Sequence, residues 1–145
     1  MVGTERWRDN WLVVSPTGAL RVDLDRSSAK REGLKRRIRE LPPGSPVVLV
    51  ASAPGAIRRC RRFAAATNVN LESEYLAFPS ASAPAYLVED DPAPLRLFVK
   101  TILVAPPRSS FAKLLAAGLG LLRALRPLLL IRAIAPGRVV VGRRR

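Results

Sequence analysis

Apolar and polar positions fall along the chain in short blocks, and each block predicts an element. Trp11-Leu12-Val13-Val14-Ser15 and Ala19-Leu20-Arg21-Val22-Asp23-Leu24 flank Pro16-Thr17-Gly18, whose Pro and Gly suit a tight reversal; the pattern predicts a β-hairpin. From Ser27 to Glu40 the chain is charged, but Leu34, Ile38 and Leu41 stand at i, i+4 and i+7, the spacing of one apolar stripe on a solvated helix. Pro42-Pro43-Gly44 ends it. Pro46-Val47-Val48-Leu49-Val50-Ala51 is apolar without alternation, which predicts a central parallel strand covered on both faces.

A second helix is expected to open at Pro54, with Ile57, Cys60 and Ala64 inward, Arg58, Arg59, Arg61 and Arg62 mostly outward, and Asn68 at its C-terminal end. Leu71–Phe78 predicts a strand near an edge that halts at Pro79, and Pro84–Val88 a weaker extended piece. Leu95, Phe98, Val99 and Ile102 have helical spacing between Pro92 and Val104. Another helix is expected from Ser109-Ser110 through the Leu-rich stretch to Arg132, and Gly137–Gly142 as the last strand. The order predicts an α/β layer protein with helices on both faces of a sheet. Its 145 residues suggest one domain: an N-terminal hairpin over 1–26, an α/β core over 27–91, and a basic, Leu-rich helical segment with the closing strand over 92–145.

Charge divides the chain unevenly. All 11 acids and 14 of the 25 basic residues lie in residues 1–91, while residues 92–145 hold 11 basic residues and no acid, so the C-terminal third carries most of the net +14. Such a field attracts phosphates or anionic lipid headgroups in a salt-dependent way. The composition offers a second explanation: 21 of the basic residues are Arg, as codon bias in a GC-rich genome would produce. The Leu-rich segment is a poor membrane span, because its uncharged run, Leu114–Leu122, has nine residues against the ~20 a span needs. Lys113, Arg123, Arg126 and Arg132 scatter around the helix instead of lining one face, leaving core packing or snorkelling at a membrane surface as the alternatives. The polar, acid-bearing N-terminus lacks a leader pattern, so a cytoplasmic location is expected, at most peripheral to the inner membrane face.

Candidate chemistry is limited by what is missing. With no His and one Cys, imidazole bases, Cys-His nucleophiles, thiolate zinc sites and an intramolecular disulfide are excluded. Cys60 suits a small core position. Asp23-Leu24-Asp25 could reach a divalent cation, although helix capping by Asp25 explains the pair as well. Glu89-Asp90-Asp91 suits a helix N-terminus. Arg58, Arg59, Arg61 and Arg62, with Arg123 and Arg126, are the candidate contacts to an anion or membrane, against the alternative of a solvated helix face. Aromatics are not interleaved with basic residues, which disfavours specific nucleic-acid reading, and Gly118-Leu119-Gly120 lies within a Leu-rich helical pattern rather than after a strand.

Leu41-Pro42-Pro43-Gly44-Ser45-Pro46-Val47-Val48-Leu49-Val50, after a charged helix, resembles the late part of class I S-adenosylmethionine-dependent methyltransferases, which place a helix, a Leu-x-Pro-Gly-type turn and a buried strand there. The following helix, strand, helices and closing Val139-Val140-Val141 keep that order over residues 27–145. The resemblance implies a partial Rossmann-like, mixed sheet whose last two strands form an antiparallel pair at its edge. The family's Gly-rich cofactor loop and ribose-binding acid have no counterpart, so no cofactor, metal, binding residue or catalytic residue is carried over. The expectation is a methyltransferase-like module that is not catalytic alone and works through a protein partner or a second copy. A membrane-surface accessory protein of envelope glycoconjugate assembly is the second expectation. The third is a carboxylate-based transferase using Asp23, Asp25, Glu72 or Glu74.

Overall fold

A computed structural model describes residues 10–25, 27–101 and 127–145. The chain divides into two compact units, Met1–Leu87 with Ala135–Arg145, and Val88–Ile134. After a 3-10 turn at Asn10–Val13, the elements are β1 (Leu20–Asp23), α1 (Ser28–Glu40), β2 (Pro46–Ser52), α2 (Ala56–Thr67), β3 (Val69–Phe78), β4 (Tyr86–Glu89), α3 (Pro92–Thr101), α4 (Pro127–Ile134) and β5 (Gly137–Arg144). The fold is mixed α/β, with a five-stranded sheet in the order β1-β2-β5-β3-β4.

In the first unit, β2 lies between β1, which is parallel to it, and β5, which is antiparallel. Its residues Val47–Ala51 are all buried, as expected of an apolar run without alternation. Val47, Leu49 and Ala51 join Val22, Leu24 and Val140 under Ile38 of α1 and Cys60, Phe63 and Ala64 of α2. Val48 and Val50 join Val139, Val141, Ala77 and Ala81 on the opposite face, against which Val14, Ala19, Tyr75 and Leu87 pack. Full burial of each Val, Leu, Ile or Phe among them is worth about 1.5–3 kcal/mol, so these two faces are the main source of stability in the unit.

The N-terminal hairpin does not form. The turn at Pro16–Gly18 is present, with Ala19 N–H donating to the Pro16 carbonyl at 3.1 Å, but the segment before it is the 3-10 turn. Leu12 and Val13 are exposed, whereas β1 pairs from Leu20↔Val47 to Asp23↔Val50. An inward Val22 gains more beside the buried β2 than it could beside a short strand with nothing to cover it.

Local chemistry sets the ends of the helices. At α1 the Leu41 N–H reaches back to the Ile38 carbonyl, and the Pro42-Pro43-Gly44 turn follows with Gly44 at φ +83°. α2 begins at Ala56, two residues later than a helix opening at Pro54. Its last turn closes on Asn68 in the left-handed region, where the Asn68 N–H reaches the Ala64 and Ala65 carbonyls. Buried Thr67 donates its hydroxyl to the Phe63 carbonyl at 2.8 Å.

β5 is the closing strand, yet it lies inside the sheet. It pairs antiparallel with β2 through Val48↔Val141 and Val50↔Val139, and antiparallel with β3 through Glu74↔Val140 and Tyr75↔Val139. The expected antiparallel pair of β3 and β5 is therefore present, but β4 lies beyond it at the sheet's margin. At the β3 irregularity between Leu71 and Ser73, Gly142 approaches so closely that an added Cβ would lie 2.4 Å from the Asn70 carbonyl oxygen.

In the second unit, α3 begins where the Asp91 carboxylate accepts the Ala93 N–H at 3.0 Å, the helix-start role expected of this acidic cluster. Asp90 pairs with Arg132 of α4. Leu95, Phe98, Val99 and Ile131 are buried. The expected Leu-rich helix lies outside the described residues except for α4, Pro127–Ile134. Among the described residues, no helix is long and apolar enough to cross a membrane.

Two glycines should respond with opposite signs. Gly142→Ala forces a methyl group into the β3 backbone and should lower the urea-unfolding free energy by about 1–3 kcal/mol. Gly33→Ala, in open space within α1, should raise it by about 0.5–1 kcal/mol. Equal effects in equilibrium denaturation would contradict this packing.

Candidate anion-binding groove

The parallel strands β1 and β2 end side by side, and α1 and α2 follow from those ends. Asp25, just past β1, links them: one carboxylate oxygen accepts the Ser52 N–H at 2.9 Å, and the other accepts from Arg59 Nη1 at 2.9 Å. Arg59 Nη2 also donates to the Ser52 carbonyl. Asp25 thus clamps the end of β2 and the first turn of α2, and it does not cap α1. Ser27 stands at that cap without a side-chain hydrogen bond. Burial pushes the Asp25 pKa up, but the Ser52 hydrogen bonds with the Arg59 hydrogen bond and charge outweigh it, so the carboxyl titrates below its ordinary range.

Asp23 accepts the Asp25 N–H at 3.0 Å, so these two acids belong to one turn. Among the described residues, no group of three or more His, Cys, Asp or Glu side chains could hold a metal ion. Glu74 receives Arg61 through both Nε and Nη2, at 3.0–3.2 Å, and Glu72 receives Arg143 Nε at 3.1 Å. Each acid considered for transfer chemistry thus accepts a backbone or guanidinium donor.

The basic cluster on α2 separates into distinct roles. Arg59 belongs to the Asp25 clamp and Arg61 ties α2 to β3. Arg58 and Arg62 are exposed, with no carboxylate partner among the described residues. Arg123 and Arg126 lie outside the described residues. Cys60, between the two arginine pairs in sequence, is fully buried; burial pushes its thiol up to about 12, Arg59 opposing and Glu74 and Asp25 adding to the rise.

Between α1 and α2 lies an open cavity of about 470 Å³. Leu24, Phe63 and Ala66 give it an apolar side, and Arg31, Lys35, Arg59 and Arg62 line it with positive charge against the single carboxylate of Glu32. Arg31 and Lys35 are one turn apart on α1, and Arg59 and Arg62 one turn apart on α2, so two cationic helix faces meet. Lys35 is paired with Glu32 at 2.8 Å and Arg59 with Asp25, whereas Arg31 and Arg62 have no carboxylate partner among the described residues. The buried Nε atoms of Arg31 and Arg59 also lack an acceptor.

The sequence pointed to Arg59 and Arg62 but missed Arg31 and Lys35. Their i, i+4 spacing was the available signal, and on an otherwise charged helix it reads as solvated surface. Comparison with protein-family models, with curated proteins and with solved structures finds no match.

Asp25→Ala should cost about 1–2 kcal/mol of unfolding free energy, since the clamp is charge-assisted but over a third exposed. Because the folded pKa is depressed, this contribution is complete above the unfolded value of about 3.9 and disappears as pH falls through the folded one. Wild type and variant should therefore converge in acid urea titrations. Cys60 should resist a thiol-specific disulfide reagent in the native protein at pH 8 and react fully in denaturant; rapid native labelling would contradict its burial.

Proposed function

We propose that the protein is an anion-recognising binding module, methyltransferase-like in the layout of its sheet and dependent on a partner for any transfer chemistry. The observation that carries this reading is the contrast between its charges. Asp25, Glu72 and Glu74 are held in ion pairs, whereas Arg31 and Arg62 face a cavity without carboxylate partners among the described residues. A general acid or base must be free to exchange a proton with substrate, and a carboxylate locked to guanidinium is poorly suited to that role. An unbalanced pair of guanidinium groups beside an apolar wall is suited to binding.

The methyltransferase-like part is supported by element order. The Leu41–Ser45 turn, buried β2, α2, β3 and a closing strand antiparallel to β3 follow in the sequence that the resemblance implies. A cytoplasmic setting fits the single reduced Cys60. A partner of different charge is favoured over a second copy, because chains of net charge +14 repel one another.

The test is fluorescence anisotropy with a labelled hexaglutamate probe, beside calorimetry against S-adenosylmethionine. Probe binding should weaken as NaCl rises from about 50 to about 500 mM. Arg62→Gln should weaken it at least about threefold, and Arg36→Gln, whose guanidinium is already paired with Glu40, should change it little. Equal affinity of wild type and Arg62→Gln would overturn groove recognition. Stoichiometric binding of S-adenosylmethionine by the isolated chain would overturn the partner-dependent reading.

A further inference from the structure

We infer that the α1–α2 cavity is a phosphate-monoester site: Arg31 and Arg62 hold a phosphoryl dianion while Phe63 and Leu24 contact the ring or apolar body that carries it. This rests on the groove's role as the anion-recognition surface and names the ligand class. Three observations specify that class.

The first is charge. Glu32 balances Lys35 and Asp25 balances Arg59, so Arg31 and Arg62 are the cations at the cavity wall without a carboxylate partner among the described residues. Two unbalanced charges match a phosphate monoester, which carries about −1.5 to −2 at pH 7, better than a single carboxylate. The second is donor chemistry. The Arg31 Nε is buried without a hydrogen-bond acceptor among the described residues, so part of that guanidinium's donor capacity is unspent. Phosphoryl oxygens accept from several guanidinium donors at once, and charge-assisted bonds of this kind are among the strongest a binding site can offer. Arg31, on α1, and Arg62, on α2, can approach one anion from opposite walls.

The third observation is size and surface. A cavity of about 470 Å³ is far larger than an inorganic phosphate needs and falls within the range of about 300–1,000 Å³ typical of small-molecule sites. Buried Phe63 and Leu24 contribute the apolar lining that a bare anion could not use. The site should therefore discriminate by the body attached to the phosphate as well as by its charge.

Isothermal titration of the full chain with phenyl phosphate and with inorganic phosphate tests the assignment. Phenyl phosphate should bind with one-to-one stoichiometry and at least about tenfold more tightly than inorganic phosphate. Arg31→Gln and Arg62→Gln should each weaken it by about tenfold, while Arg58→Gln, on α2 but outside the cavity lining, should leave it within about twofold. Arg31 is partly buried and Arg62 exposed, and circular dichroism melts should confirm that both variants fold.

Flotation with phosphatidate-containing vesicles distinguishes a lipid headgroup from a free metabolite. Recruitment lost in Arg31→Gln and Arg62→Gln would assign the phosphoryl group to a lipid; phenyl phosphate binding without recruitment would assign it to a free ligand. The inference is overturned if phenyl phosphate fails to bind at low-millimolar concentration, or if it binds both variants as it binds wild type. Retained, Arg62-dependent hexaglutamate binding would then show that anion recognition survives and only the ligand class was wrong.

Discussion

Everything in the first unit depends on β2 having no solvent face. Val47, Leu49 and Ala51 point to one side and Val48 and Val50 to the other, and both sets are buried. β5 supplies matching valines at 139, 140 and 141, so the sheet's interior is a bilayer of branched side chains around two hydrogen-bonded strands. Placing α1 and α2 against one of these surfaces brings the helices together and fixes the two walls of the groove. The cationic site is a secondary product of apolar packing, since its charged residues occupy outer helix faces whose inner faces are Ile38, Cys60 and Phe63.

The Asp25 clamp connects that packing to the site's chemistry. By accepting from Ser52 and Arg59 it holds the ends of β1, β2 and α2 together, and it removes one guanidinium from the pool available to a ligand. Arg61 is occupied similarly by Glu74. Nearly identical neighbours in sequence thus perform different tasks: two brace the fold, while Arg62 faces the groove with an unbalanced charge. Such partitioning leaves part of this basic helix's charge neutralised within the protein.

The parts of this architecture that local pattern specifies were legible. β2 read as a buried strand because its apolar residues do not alternate, β5 read only as the closing strand, and the stripes of α1 and α2 identified Ile38 and Cys60 as inward. Asn68 gave the end of α2. Pairing was less legible, since Pro16-Thr17-Gly18 signals a reversal without saying which strand β1 will join, and the parallel contact with Val47–Val50 is long-range. The site was half legible for the same reason. Composition exposed the arginines, but Asp25 lies 34 residues before Arg59 and Glu74 13 residues after Arg61, so which cation is occupied depends on the folded arrangement.

The position of β5 governs the order in which the protein can be assembled. β2 and β3 are both synthesised before the segment that bridges them, so until then β2 has only β1 and β3 only β4 as a neighbour within the sheet. The edges of β2 and β3 that face each other across this gap must wait, unpaired, until Gly137–Arg144 has left the exit tunnel and slotted between them. Completion of the sheet is consequently a late, long-range event, and the interval before it is when a nascent chain with such apolar strands has most need of chaperone protection.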